Sequence, residues 1–341
     1  MRILNRRTTR RLAWTAALPL VLFAAGPAAA GVGAGPAPAA AAHYSAVSLG
    51  GLGGDMTEAA KVNDNGVVVG FANLSARGAS HAIVWNGGTL TDLTPTATNA
   101  GAVAINNNNE IIGTADGQAF FWAAGTMTNL GTLGGTGISP QAINNLGQVV
   151  GYGQTAGEVT HSFLWQYGQM TDLGSQCYAT GINDNGVISG YYSNGLIHAC
   201  LLDHGSFVDI GALLPDTRST AAGINKYGQV VINTKPVDNP ASGGPAVWQN
   251  GTVVHLPIPA GLTAVRATGI NDLGQVTGYG VDATGFHPLL WDHGTTTDLS
   301  TRGLPTPPYT PGLAINNKGQ IAATIVDDQN TNAFLFTPDA T

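Results

Sequence analysis

The chain has 341 residues, 48 of them glycine, and its 13 Lys and Arg face 20 Asp and Glu for a net charge of −7. Frequent Asn and Thr, few charges and little helix-favouring Glu-Lys-Ala pattern describe many short strands joined by tight turns, an all-β composition. An acidic chain lacks the basic footprint that nucleic acid or an anionic membrane surface would require, so neither is an expected partner.

Residues 1–42 differ from the rest. Five arginines (Arg2, Arg6, Arg7, Arg10, Arg11) precede an apolar run from Leu12 to Ala25, and Ala-Gly-Pro-rich sequence follows. The run is too short to span a bilayer and has small residues after it at Ala28-Ala29-Ala30 and Ala40-Ala41-Ala42, so it reads as a secretory signal peptide. Arg10-Arg11-Leu12 leaves the twin-arginine route open beside the general one. Removing the segment leaves eight basic side chains against 20 acidic ones. No lipobox cysteine follows it, and no later segment reads as membrane-spanning. The expected product is one secreted domain over residues 43–341.

Within that domain a pattern Ile-Asn-x-x-Gly followed by an apolar pair recurs about every 40 residues. Its variants place asparagines at Asn63, Asn106, Asn144, Asn183, Asn225, Asn271 and Asn316. Asn-x-x-Gly suits a hairpin turn with asparagine capping the loop and glycine in the left-handed conformation. A second signature starts each third strand, as in His81 to Trp85, His161 to Trp165 and His287 to Trp291. A short turn and a run such as Met170 to Gly174 supply a fourth strand. Two and four residues before the asparagine stand small side chains, such as Ala104 and Ala102 or Gly181 and Ala179, which fit the crowded inner edge of a propeller blade.

The seventh copy ends at Asn332 to Phe336 without a fourth strand, while Tyr44 to Gly54 stands before the first copy and matches a fourth strand and its exit. The expected fold is therefore a seven-bladed β-propeller of four-stranded antiparallel blades. The N-terminal strand is expected to complete the last blade and remove a free sheet edge. A monomer is expected.

The hairpins such as Ile143 to Gly151, the third strands such as His161 to Trp165 and the exits such as Met127 to Gly135 together resemble the HAF-repeat family of bacterial extracellular proteins. The resemblance spans nearly all of residues 44–336. It implies export and a repeat scaffold, and it assigns no catalytic residue. The fourth copy departs most, with Cys200 and Leu202 where the pattern has phenylalanine and tryptophan.

Histidines at His81, His161, His198 and His287 and aspartates at Asp92, Asp172, Asp209 and Asp298 recur at matching positions in four of the seven copies. Whole blades separate the copies, so they cannot converge on one ion, and a hydrogen-bonding role within each blade is expected. The NDNG loops resemble calcium loops faintly but lack the alternating acidic ligands and distal glutamate, so they read as turns. No metal is expected, and no cofactor, because phosphate-binding loop, HExxH, CxxC and GxSxG patterns are missing. Cys177 and Cys200 either form a disulfide after export or remain buried small apolar side chains.

Function on a repeat scaffold belongs where loops vary, here the second-to-third loops and the connections between blades, which share one face. The ligand-binding candidates there are Asp216, Arg218 and Arg266 at the entry to inner strands, and Glu158, Lys235, Arg302 and Tyr309 on variable loops. Lys61 joins them because it replaces the alanine or glycine of the other six copies, on the strand face expected near the axis. The favoured reading is a secreted binding scaffold for an extracellular small-molecule, carbohydrate, peptide or protein ligand. An exported lyase or hydrolase at the channel mouth is the alternative, and a purely structural repeat protein the plainest one.

Overall fold

The computed structural model describes residues 42–76, 78–239, 242–305, 313–326 and 330–339. Seven four-stranded antiparallel sheets form a seven-bladed β-propeller, and each sheet is ordered from its first strand outward to its fourth. Blade 1 runs through Thr57–Val62, Val68–Asn73, Ser80–Asn86 and Thr89–Asp92, and the next five blades repeat the plan. The seventh sheet takes three strands from Leu313–Ile315, Ile321–Val326 and Thr331–Pro338. Its fourth is Tyr44–Ser48, paired antiparallel with Tyr44 opposite Pro338 and Ser48 opposite Phe334.

The strand patterns follow from where each strand sits. Second and third strands are buried on both faces, as in Val149–Thr155 and Thr160–Gln166, whereas the fourth strand Thr126–Asn129 is exposed throughout. Cores lie between blades: Ile112 and Ala119 of blade 2 pack with Val149, Phe163 and Trp165 of blade 3. Glycine in the second strand is needed for close approach, because a Cβ on Gly151 would stand 2.1 Å from the Ser139 carbonyl oxygen.

The inner strands correct one expectation. A regular strand would put the two small positions on one face, but six blades carry a register shift between them, such as Ala102/Ala104 and Ala267/Gly269. The extra residue of a β-bulge lets the two positions face different surroundings. Ala102, Ala179, Ala221 and Ala267 pack into the cores between blades. Gly181, Gly223, Gly269 and Ala314 line the axis.

The hairpin turns do more than end strands. Each repeat asparagine accepts backbone N–H groups two and four residues on, as Asn144 Oδ1 does from Leu146 at 3.1 Å and Gln148 at 3.0 Å. Gly147, in the third position after it, has φ 71°, and Asn109 takes the same left-handed place in blade 2 with φ 62°. Each asparagine Nδ2 also donates to the next blade's asparagine carbonyl: Asn63 to Asn106 at 2.9 Å, Asn106 to Asn144 at 2.9 Å and Asn144 to Asn183 at 3.0 Å. Asn183 to Asn225, Asn225 to Asn271 and Asn271 to Asn316 continue it. Asn316 donates to Asn63 at 2.8 Å, so the seven bonds form a cycle around the axis.

Candidate functional site

The two mouths of the channel differ in kind. Around the asparagine cycle lies an opening of about 190 Å³, lined by the asparagines, the isoleucine or, at Val62, valine before each, and the residues that follow them. Those following residues link neighbours too: Asp64 N–H donates to Asn107 Oδ1, Asn107 N–H to Asn145 and Asn145 N–H to Asp184, each at 2.8 Å. Lys226 has no side-chain acceptor at this position and instead sets Nζ 3.6 Å from Asp272 and 5.0 Å from the Tyr227 ring centroid.

The variable loops stand at the other mouth, and there the seams between blades are open in places. Arg218 and Lys235 of blade 5 lie directly opposite each other on the first and second strands. With Arg266 of the blade 6 inner strand they line a cleft of about 510 Å³. Ser219, Thr220, Asn233, Thr234 and Thr263 supply its polar wall, Ile197, Leu262 and Val265 its apolar one. Asn233 fixes the seam by accepting from Ala267 N–H at 2.8 Å and donating to the Ala267 carbonyl at 2.9 Å. None of the three cations forms an ion pair among the described residues. Like charges directly opposite on neighbouring strands repel, so this pairing costs stability that ordinary strand chemistry would avoid.

A second cleft of about 550 Å³ lies between blades 1 and 2, lined by Glu58, Phe71, Asn73, Ser80 and Asn99. Between these openings the seam of blades 3 and 4 carries tyrosines. Tyr178 packs edge-on against Tyr152, with ring centroids 6.3 Å apart, and against Tyr191 at 5.5 Å. Burial raises the Tyr191 pKa, helped by its tyrosine neighbours.

The remaining candidates are scattered. Lys61 lines an axial cavity of about 120 Å³ beside Gly181, Gly223, Gly269 and Ala314, far in kind from the cationic cleft, and burial lowers its pKa. Asp216 stands exposed where the chain enters blade 5, its carbonyl accepting from Val237 N–H at 2.8 Å, and it makes no ion pair with Arg218 or Lys235. Glu158 occupies an exposed left-handed turn residue of blade 3 with φ 60°. Two of these positions differ from the loop reading. Lys235 belongs to the strand Val230–Pro236, because pairing with the blade 5 inner strand continues through Pro236. Arg302 ends the short 3-10 turn Leu299–Arg302, with its Nε buried and without a hydrogen-bond partner. Tyr309 lies outside the described residues.

The repeated His and Asp pairs lie within blades. His81 Nδ1 meets Asp92 at 2.6 Å, His161 meets Asp172 at 2.8 Å and His287 meets Asp298 at 2.8 Å. Each aspartate also accepts a backbone N–H two residues on, from Thr94, Gly174 and Ser300. In blade 4, Tyr192 Oη donates to Asp209 at 2.5 Å, and its pKa is pushed up to about 12 by burial and by that carboxylate. Among the described residues no three His, Cys, Asp or Glu side chains gather as a metal would require. Cys177, just before the blade 4 inner strand, and Cys200, in its third strand, form a disulfide across 23 residues of sequence. No helix among the described residues is long and apolar enough to cross a membrane.

The fold and its two unlike mouths place the chain among β-propeller proteins. No protein-family model matches it, and no curated protein does. Solved structures do. It is similar to an oligogalacturonate lyase in complex with manganese at 12% identity and a TM-score of 0.59, over 82% of this chain and 88% of that one. The β-propeller domain of the trilobed protease from Pyrococcus furiosus is 14% identical with a TM-score of 0.54, over 73% and 85%. A Mycobacterium tuberculosis puromycin-hydrolyzing peptidase is 11% identical with a TM-score of 0.57, over 86% of this chain and 54% of that one. These likenesses concern the fold.

Proposed function

We propose that the protein is an exported, HAF-repeat-like binding scaffold whose variable-loop face takes a carboxylate-bearing carbohydrate. One observation carries the reading: Arg218, Lys235 and Arg266 line a single cleft with no carboxylate to balance them, in a chain of net charge −7. Arg guanidinium groups match carboxylates with two parallel hydrogen bonds, and a ligand supplying that charge relieves the repulsion between Arg218 and Lys235. Hydroxyl and amide side chains in the wall suit sugar hydroxyls. The lyase with a similar fold takes an acidic oligosaccharide by its name, which makes the same class a sensible probe.

The lining provides cations and hydroxyls, which bind and orient, rather than a carboxylate or imidazole placed to move a proton. Binding without turnover is therefore expected. Calorimetric titration of residues 43–341 with oligogalacturonates should show salt-sensitive binding. Arg218→Ala with Arg266→Ala should weaken it by about a hundredfold, at roughly tenfold for each charged contact. Equal affinity in the double variant, or equal affinity for uncharged oligosaccharides, would overturn the reading. Release of unsaturated or shortened sugars would move the protein to the enzyme class.

A further inference from the structure

The cleft between blades 1 and 2 has the opposite chemistry from the cationic one, and the reading above makes no use of it. Glu58 and Phe71 are direct cross-strand partners on the first two strands of blade 1. Both line the opening of about 550 Å³, with Asn73, Ser80 and Asn99 on its rim. Gly101 of blade 2 faces Phe71 across the opening, where a Cβ would meet the Phe71 Cβ in ordinary contact at 3.5 Å and a longer side chain would fill the space.

The Glu58 carboxylate makes no ion pair or hydrogen bond among the described residues, and burial raises its pKa. The rim is already organised: Ser80 Oγ donates to Asn99 Oδ1 at 3.0 Å, and the Asp116 carboxylate accepts from the Thr98 and Asn99 backbone N–H groups. A half-buried carboxylate beside an aromatic ring has one natural complement. A primary ammonium satisfies the carboxylate, while the carbon framework that carries it lies on the ring face, where the π-system attracts the same positive charge.

We infer that the cleft between blades 1 and 2 is a second binding site, taking a primary ammonium on a compact carbon frame against Glu58 and Phe71. An amino sugar and a lysine side chain share that chemistry, and the cavity volume accommodates either.

Titrations of residues 43–341 with glucosamine, with glucose and with Nα-acetyl-lysine amide, followed by NMR shift perturbation, test the site. Glucosamine or the lysine derivative should perturb Glu58, Phe71 and Asn99 signals, and glucose should not. Preference between the two amines identifies the source. Glu58→Gln keeps the shape and removes the charge, so it should weaken binding about tenfold. Gly101→Leu fills the opening from the other wall and should abolish binding while Glu58 stays intact. Arg218→Ala with Arg266→Ala should leave amine binding unchanged, which separates this site from the cationic cleft. Equal binding of glucose and glucosamine, or unaltered affinity in both Glu58→Gln and Gly101→Leu, would overturn the inference.

Discussion

The turn face and the loop face of this propeller obey different constraints. On the turn face, seven asparagines perform the same two tasks in every blade, holding their own hairpin and bonding the next. Backbone groups buried there must be satisfied, and one side chain at one spacing does so. On the loop face the seams differ from one another: tyrosines pack between blades 3 and 4, Asn233 bridges blades 5 and 6 beside a cleft lined by cations, and a cleft lined by Phe71 and Gly101 opens between blades 1 and 2. Repetition thus marks where structure is fixed, and departure from it marks where chemistry is available.

The contrast is broken most directly at the ring. Asn144 is 4% exposed, and Asn144→Ala strands two turn N–H groups and one carbonyl of the next blade. A loss of about 3–4 kcal/mol is expected, read from denaturant unfolding. Asn144→Asp keeps the turn acceptor but places a carboxylate against the Asn183 carbonyl, so most of the loss should persist. If Asn144→Asp were neutral, the inter-blade bond would contribute nothing.

On the other face, replacing both cysteines by alanine should cost about 3 kcal/mol by freeing the loop between Cys177 and Cys200 in the unfolded chain. Cys177 also ties blade 3 to blade 4, its carbonyl accepting from Ser162 Oγ at 2.7 Å. The tyrosine seam should therefore loosen selectively, which a rise in amide exchange at Tyr152 and Tyr178 would reveal. Uniform loosening of all seams would contradict the local role.

A smaller effect comes from His287, held between Asp298 at 2.8 Å and Asp282 at 3.0 Å. Partial burial alone would lower its pKa, but hydrogen bonds and charge from both carboxylates outweigh it and raise the pKa. Its contribution is then full below the unfolded pKa and is lost as pH rises through the raised folded value. Asp282 behaves oppositely: hydrogen bonds from Thr284 and His287 take its pKa to about 2, so its share is present above the unfolded value and disappears in strong acid. A pH series of melting temperatures should lose the His287 dependence in His287→Phe and keep most of the Asp282 dependence, which rests first on Thr284.

The smallest change sharpens the comparison best. Lys235→Ala should raise stability by about 0.2–1 kcal/mol by removing the cross-strand repulsion with Arg218, while weakening acidic ligands. Destabilisation would mean that the pair is structural.

The blade number and the hairpins were legible because each rests on local spacing repeated seven times, and the four recurring His and Asp positions pointed to hydrogen bonds within blades without showing that they pair. Pairing of Tyr44–Ser48 with the last blade followed from the missing strand at the C-terminal end. The asparagine cycle was not read from the sequence, although a hairpin alone tolerates other residues and the persistence of asparagine in all seven turns was a signal for it. The clefts were half legible. Arg218 and Arg266 stood out as charges entering inner strands, but their convergence with Lys235 depends on how far the blade 5 strand continues and on Asn233 fixing the seam. Glu58 and Phe71 were missed because each is unremarkable alone and becomes a pair only through the register of one hairpin. Lys61 was singled out as deviant on the face expected near the axis, and it lines the axial cavity there, apart from both clefts.

The asparagine cycle also means that the molecule counts its own repeats. In an open stack a unit can be added or lost at an end, where only one neighbour must adjust. Here every asparagine carbonyl already receives its predecessor's amide, so an extra blade has no vacant terminus at which to attach. Growth by duplication would have to reopen a finished loop and reset the tilt between all the blades at once, which makes the number seven a collective property of the ring.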